Sequence, residues 1–278
     1  MAVDPHDQDM VYALAEQAEA EFMYRYSSGT PGAVQDTLGM AATRLGGGVV
    51  LSMRHDPVNY WSKALGFGVD EPVDAELIGQ VCDFYRAERT PAAVIQIAPD
   101  RLPADWDEIR ARETITAGST WVKLAAEADA IQPGRTELRV GPVTAEFADQ
   151  WASVVLRGFG MPEEGLGAML AASVTDPRFR PYAAWDGAEM VAGANLFVHG
   201  EVGALNAAST LPAHRGRGAQ SALLAARAAA AVAAGCRWVT AETGRPEPGS
   251  SNTSLNNMLR AGLTPLYDRR NWLWRAAQ

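Results

Sequence analysis

The sequence predicts an α/β protein of two halves, built on mixed, mostly antiparallel sheets. Three observations carry that prediction. At 278 residues the chain exceeds the usual single-core range. In the second half, three strand-like runs follow one another through short turn formers, as in an antiparallel meander. Beyond them, an alanine-rich helical pattern and a shorter one alternate with further strands.

In the second half, Thr136 to Thr144 reads as a first strand, and helices follow at Ala145–Arg157 and Glu163–Val174. Pro181–Trp185, Met190–His199 and Val202–Thr210 form the meander, parted by Asp186-Gly187 and Gly200. A glycine-rich turn after Pro212 opens a helix from Ala219 to Ala234, ended by the stop glycine Gly235. Its alanines suit close packing on a sheet. Arg237–Thr243 is a strand, Ser254–Ala261 a short helix, and Leu263–Tyr267 with Asn271–Trp274 a final pair of strands.

The first half repeats part of this order. Strands are expected at Val49–Met53, Ala93–Ile97 and Thr114–Leu124, with helices at Val73–Arg86 and Leu102–Arg112, matching the order from Val202 to Trp274. The polar break Gln132-Pro133-Gly134-Arg135 places the boundary, giving domains 1–135 and 136–278.

Composition narrows the function. Hydrophobic residues make up 47% and charged residues 21%, the balance of a globular chain. The net charge of −9 is uneven: residues 1–135 hold 21 acidic against 11 basic residues, the rest 12 against 13. A basic patch is missing, which argues against DNA or RNA partners. No apolar run reaches membrane-spanning length, and the acidic start Met1-Ala2-Val3-Asp4 lacks the order of a secretion signal, so a cytoplasmic protein without a membrane role is expected. Cys82 and Cys236 stand far apart and read as small buried residues, and the four histidines are scattered, so no metal is expected.

The segment that carries chemistry is Arg215-Gly216-Arg217-Gly218-Ala219-Gln220-Ser221. A helix start offers unpaired N–H groups and the positive end of its dipole, glycines let a diphosphate approach the backbone, and two arginines add charge. It is neither a dinucleotide fingerprint nor a Lys-Ser/Thr phosphate loop. At the corresponding place the first half has Val69-Asp70-Glu71-Pro72-Val73-Asp74, whose carboxylates cap a helix well and repel a phosphate.

Thr210 to Leu224, read with this turn, resembles the signature of the GNAT N-acetyltransferase superfamily, and the likeness covers about residues 136–278. The resemblance implies the GNAT acyl-CoA N-acyltransferase fold, with a degenerate GNAT-like first domain in tandem. It implies acetyl-CoA as co-substrate, its pyrophosphate wrapped by Arg215, Gly216, Arg217, Gly218, Ala219, Gln220 and Ser221. Its pantetheine arm would pair with the backbone of Thr210 and Leu211. Gln220 departs from the family, which has glycine or alanine there. Ser254 to Leu263 resembles the family's later helix and implies that Asn257 meets the pantetheine arm, the other reading being a cap or bridge within the loop.

Acetyl transfer to an amine needs a base, an oxyanion donor and an acid. The resemblance assigns the oxyanion to an N–H near Leu211. The family's usual glutamate has no counterpart in Val202–Thr210, which leaves Glu242, on the strand face of Trp238 and Thr240, and Glu201 as alternatives; either can equally be a structural anchor. The family's tyrosine acid falls at Met258, so Tyr267 is the nearest substitute, unless it is strand packing. No histidine is placed to activate Cys236, and direct transfer without an acyl-enzyme follows. The acidic first half suits a small cationic amine, of the polyamine, aminoglycoside-antibiotic or basic amino-acid kind. A non-catalytic acyl-CoA-binding module and a protein N-acetyltransferase are the alternatives. The sequence does not specify an oligomeric state.

Overall fold

A computed structural model describes residues 5–276. In chain order the elements are α1 (Pro5–Ser28), α2 (Gly32–Leu38), β1 (Met40–Leu45), β2 (Gly48–Met53), β3 (Lys63–Leu65), α3 (Ala75–Ala87), β4 (Ala92–Gln96), α4 (Trp106–Arg112) and β5 (Thr116–Glu127). Then come β6 (Arg139–Pro142), α5 (Ala148–Phe159), α6 (Leu166–Ser173), β7 (Phe179–Asp186), β8 (Glu189–His199), β9 (Val202–Thr210), α7 (Ala219–Ala233), β10 (Trp238–Gly244), α8 (Thr253–Arg260) and β11 (Thr264–Arg275). Among the described residues no helix is long and apolar enough to cross a membrane.

Two compact units result. The first holds the described residues through Ser28, then Gly32–Trp121 and the chain from Tyr267 on; the second holds Gly29–Pro31 and Val122–Leu266. These breaks differ from the 132–135 boundary expected from composition. Within the first unit β1 and β2, then β2 and β3, pair antiparallel, β3 and β4 pair parallel, and β11 joins β4 antiparallel through Asn271↔Gln96. Within the second, β7 and β8, then β8 and β9, pair antiparallel, and β9 and β10 pair parallel. The order strand, strand, strand, helix, strand, helix, strand thus occurs twice, from β1 to β5 and from β7 to β11, with the same pairing senses.

This sharpens the expected repeat and corrects its register. The counterpart of β9 in the repeat is β3, which the sequence pattern did not reveal, and Val49–Met53 corresponds to β8. The expected final pair of strands is one strand. Asp268-Arg269-Arg270 reads as a turn, but the Arg269 side chain is fully buried and its guanidinium bonds Glu16 at 2.7 Å and Glu19 at 2.6 Å. An internal ion pair keeps the backbone extended where polarity signals a turn.

The first unit's core joins Ile78, Val81, Cys82 and Tyr85 of α3 to Val50, Ile95 and Trp274. Asp74 caps α3, its carboxylate accepting the Leu77 N–H at 2.8 Å. In the second unit α7 buries Leu223, Leu224, Ala228 and Ala231. A Cβ on Gly203 of β9 would stand 2.9 Å from that of Ala231, so glycine and alanine set the close approach of helix to sheet. On the other face α5 buries Trp151 and Val155 against Gly193, and the Trp151 indole donates to the Tyr182 carbonyl at 3.2 Å. Burying each such large side chain contributes about 2–3 kcal/mol.

Candidate active site

The site begins where two parallel strands part. β9 and β10 are in register from Val202↔Trp238 to Leu205↔Ala241 and no further, although β9 continues to Thr210 and β10 to Gly244. The cause lies on the other side of β9. Asn206 faces Asn195 and Ser209 faces Gly193, so Ala207 and Ala208 together oppose Ala194. This is a bulge, with one extra residue, and it bends the strand and increases its twist. Ala207 sits at φ 52°, a left-handed backbone that costs a non-glycine residue about 1–2 kcal/mol.

Beyond the bulge the Leu211 N–H donates to the Val191 carbonyl at 2.9 Å. It is therefore engaged, so an oxyanion donor near Leu211 is not that residue's own N–H. Residues of an antiparallel pair alternate in exchanging hydrogen bonds, so Thr210 turns its own N–H and C=O to the side that β10 has left. That opened edge leads straight into the glycine turn.

Gly216 and Gly218 both adopt φ 80°. A Cβ at Gly216 would meet nothing within 4 Å, whereas one at Gly218 would lie 2.1 Å from the Arg135 carbonyl. Gly218 caps α7 without a side chain, and the first backbone bond of the helix returns from Ala222 N to Gly218 O. The N–H groups of Ala219, Gln220 and Ser221 therefore have no helical acceptor, and they converge with the positive end of the dipole. Thr136 Oγ1 donates to the Arg217 carbonyl at 2.7 Å, and Gly134 lies on the backbone of Ser221 and Ala222. The Pro133-Gly134-Arg135 stretch, read as a boundary, braces this turn.

The arginines divide their work. Arg215 Nη2 donates to the Gly158 carbonyl near the end of α5 at 3.0 Å and its Nε to the Thr210 carbonyl at 3.3 Å. Arg217 pairs with Asp186, and that pairing holds the Asp186 carboxyl below its usual range and raises Arg217 above its own. His214 Nδ1 stands 3.7 Å from Asp186 and Nε2 3.9 Å from Glu189. Among the described residues, one arginine is thus held by carbonyls and the other by an acid that the sequence pattern did not signal.

Gln220 joins α7 to α8. Its Nε2 donates to Ser254 Oγ at 2.8 Å, its Oε1 accepts from Asn257 Nδ2, and Asn257 Oδ1 accepts from Arg260. The amide of Asn257 is therefore engaged as a bridge at both ends. Asn252 caps α8 and also donates to the Gly244 carbonyl at 2.7 Å, which ties α8 to the end of β10.

Of the candidate catalytic residues, Glu242 is the first residue of β10 beyond its pairing with β9. Its carboxylate lies 3.2 Å from Lys123 Nζ, a partner the sequence pattern gave no sign of. Glu201 is not with it. It is exposed in the turn before β9, and its carbonyl accepts from Arg237 and Trp238. Nine strand residues, roughly 30 Å at about 3.3 Å each, part it from the glycine turn. Tyr267 belongs to the first unit, where its hydroxyl donates to Glu16 and its ring packs on Tyr12 with centroids 4.9 Å apart. Burial and the neighbouring Glu16 push its pKa well above the ordinary phenol value.

The sequence profile of the Acetyltransferase (GNAT) family matches residues 148–252. Among solved structures the chain is similar to a GCN5-related N-acetyltransferase from Kribbella flavida, at 16% identity over 88% of this chain and 94% of that one, with TM-score 0.60. It is similar along its whole length to a tandem GNAT protein from the clavulanic acid biosynthesis pathway, at 13% identity, 98% of that chain and TM-score 0.57. A GCN5-related N-acetyltransferase from Sphaerobacter thermophilus shares 14% identity over 73% of this chain and 68% of that one, with TM-score 0.57. At these identities the common property is the fold. No curated protein sequence matches the chain at a significant level. The chain has the GNAT fold, and residues 148–252, which hold the parted strands and the glycine turn, form a domain of the acetyltransferase (GNAT) family.

Proposed function

We propose that the second unit binds acetyl-CoA along the opened edge of β9 and the start of α7, and transfers the acetyl group to a primary amine of a small cationic molecule. The observation that carries this reading is the continuity of the two features. An unpaired strand edge suits an extended amide-bearing arm, and at Thr210 it runs into three free helix-start amides suited to a diphosphate. Gly216 keeps that approach free of a side chain, with nothing within 4 Å of where its Cβ would stand. The bound co-substrate would supply an activated acyl thioester.

The chain's own residues do the rest. Ala219, Gln220 and Ser221 donate backbone N–H groups to the phosphates, and Thr210 offers the N–H nearest the reacting carbonyl. Glu242 accepts the proton that the amine loses, with Lys123 fixing the carboxylate in place. Transfer is direct. Cys82 and Cys236 are both buried, and burial pushes the Cys82 thiol up to about 12, which leaves it no nucleophilic role at neutral pH. The net charge of −9 favours a cationic acceptor, aminoglycoside-type amines included.

A second reading, an acyl-CoA-binding module without catalysis, is favoured by the engaged Leu211 N–H and Tyr267 hydroxyl. Calorimetry with acetyl-CoA, joined to release of free thiol in the presence of an amine panel, separates the two. Saturable binding with amine-dependent thiol release is expected. Binding without release supports the module, and no binding removes both readings.

A further inference from the structure

Arg227 lies on the buried face of α7 with Leu223, Ala228 and Ala231, where packing alone calls for an apolar side chain. It is 2% exposed, and among the described residues its partners are carbonyl oxygens rather than carboxylates. Nε donates to Leu223 O at 3.1 Å, and Nη1 to Asn195 O at 2.8 Å and Asn206 O at 3.3 Å. Burial alone pulls its pKa down to about 9, a sign of how poorly the site solvates a cation.

The two strand carbonyls it holds are not arbitrary. Asn195 and Asn206 face each other as the last regular pair before the bulge. The same pair is tied by Asn195 Nδ2 donating to Asn206 Oδ1 at 3.2 Å. Asn195 alternates with Ala194 and Leu196, which pack on the α7 side, so this amide bond lies on the opposite face of the sheet. The pair is clamped from both faces. Directly after it comes Ala207 in its left-handed backbone, and there the parallel pairing with β10 has ended.

We infer that Arg227 is a positioning residue: its guanidinium, bonded to the carbonyls of Asn195 and Asn206, holds the bulge of β9 and so keeps the edge at Ala208–Thr210 open to ligand. The inference rests on reading that edge as the seat of the acyl-CoA arm. An apolar side chain of similar size would leave both carbonyls without a donor, and the strand would relax toward an unbulged register.

Two measurements on the full chain test this, with Arg227→Met and Arg227→Lys beside the wild type. Hydrogen exchange of unliganded protein reads the bulge, and calorimetry with coenzyme A reads the edge. Arg227→Met is expected to speed amide exchange at 205–209 at least tenfold and to weaken coenzyme A binding tenfold or more, with Arg227→Lys intermediate in both. Wild-type exchange together with wild-type affinity in Arg227→Met overturns the inference. Should Arg227→Met fail to fold, Arg227→Lys decides, and wild-type affinity there overturns it. Failure of the wild-type protein to bind coenzyme A overturns the acyl-CoA reading, while the exchange data still judge the hold of Arg227 on the bulge.

Discussion

Lys123 and Glu242 form an ion pair on the second unit's sheet, Nζ to Oε2 3.2 Å, with side chains only 3% and 14% exposed. Removing either charge takes from the other a buried ion-pair partner. The same carboxylate stands one residue beyond the point where β10 leaves β9, so a structural pair and a candidate catalytic group are one and the same.

Removing one partner of such a pair costs about 3–5 kcal/mol, more than replacing both by apolar groups. Lys123→Met is therefore expected to lower stability by about that amount, and Lys123→Met with Glu242→Leu to recover part of it. Urea unfolding of the four proteins of this cycle checks the prediction. If Glu242 is the base, Glu242→Gln lowers kcat well beyond any loss in the KM for acetyl-CoA.

Gly218 and Gly216 share a backbone angle but not a neighbourhood. Gly216→Ala is expected to cost about 1–2 kcal/mol, the strain of the left-handed backbone alone. Gly218→Ala adds a clash with the Arg135 carbonyl, which must shift. Its loss in stability is expected to be the larger of the two, with coenzyme A binding lost alongside. Unfolding midpoints and calorimetry on both variants give the comparison.

Asp186 competes with any phosphate for Arg217. Asp186→Asn is expected to tighten coenzyme A binding by about two- to fivefold, the range of one exposed ion pair, and the gain should shrink at high salt. Unchanged affinity at low salt would show that Arg217 does not reach the ligand.

The Tyr267 hydroxyl is committed to Glu16. Tyr267→Phe is expected to leave kcat for acetyl transfer within about threefold and to lower stability by about 1–3 kcal/mol, since the Glu16 carboxylate loses a donor. A fall of a hundredfold or more in kcat, with stability kept, would restore Tyr267 as the acid.

Alkaline pH should unfold the first unit's core. Burial, then Glu113, raises the Cys82 thiol from 9.0 to about 12, and burial also raises Tyr85 well above its ordinary value. Groups raised in the folded state bind protons that the unfolded chain has released, so the stability they give is full below pH 9 and is lost as pH climbs toward 12. Cys82→Ala is expected to flatten the fall of the melting temperature over that window.

What the sequence made legible was the second unit, because its signals are local. The Val202–Thr210 strand, the glycine turn, the Gly235 stop and the short helix before Gly262 each depend on neighbours in the chain, and each appears where expected. The Asp74 cap was legible for the same reason. What stayed hidden depends on distant partners. Nothing local in the sequence marks Glu16, Glu19 and Glu21 as buried, yet they are, and Arg25, Arg44 and Arg269 answer them, so α1 shows no clean apolar stripe. Lys123, Asp186 and Arg227 take their roles from residues about 20 to 120 positions away, which periodicity does not report.

The strand β11 begins among the residues of the second unit and ends among those of the first, carrying Arg269 and Trp274 into that unit's interior. During synthesis, then, the N-terminal unit is made first but finished last. Until the stretch from Tyr267 to Arg275 has been made, the Arg269 bonds to Glu16 and Glu19 and the pairing of β4 with β11 are missing from that unit. Losing that stretch would undo the unit that α1 begins.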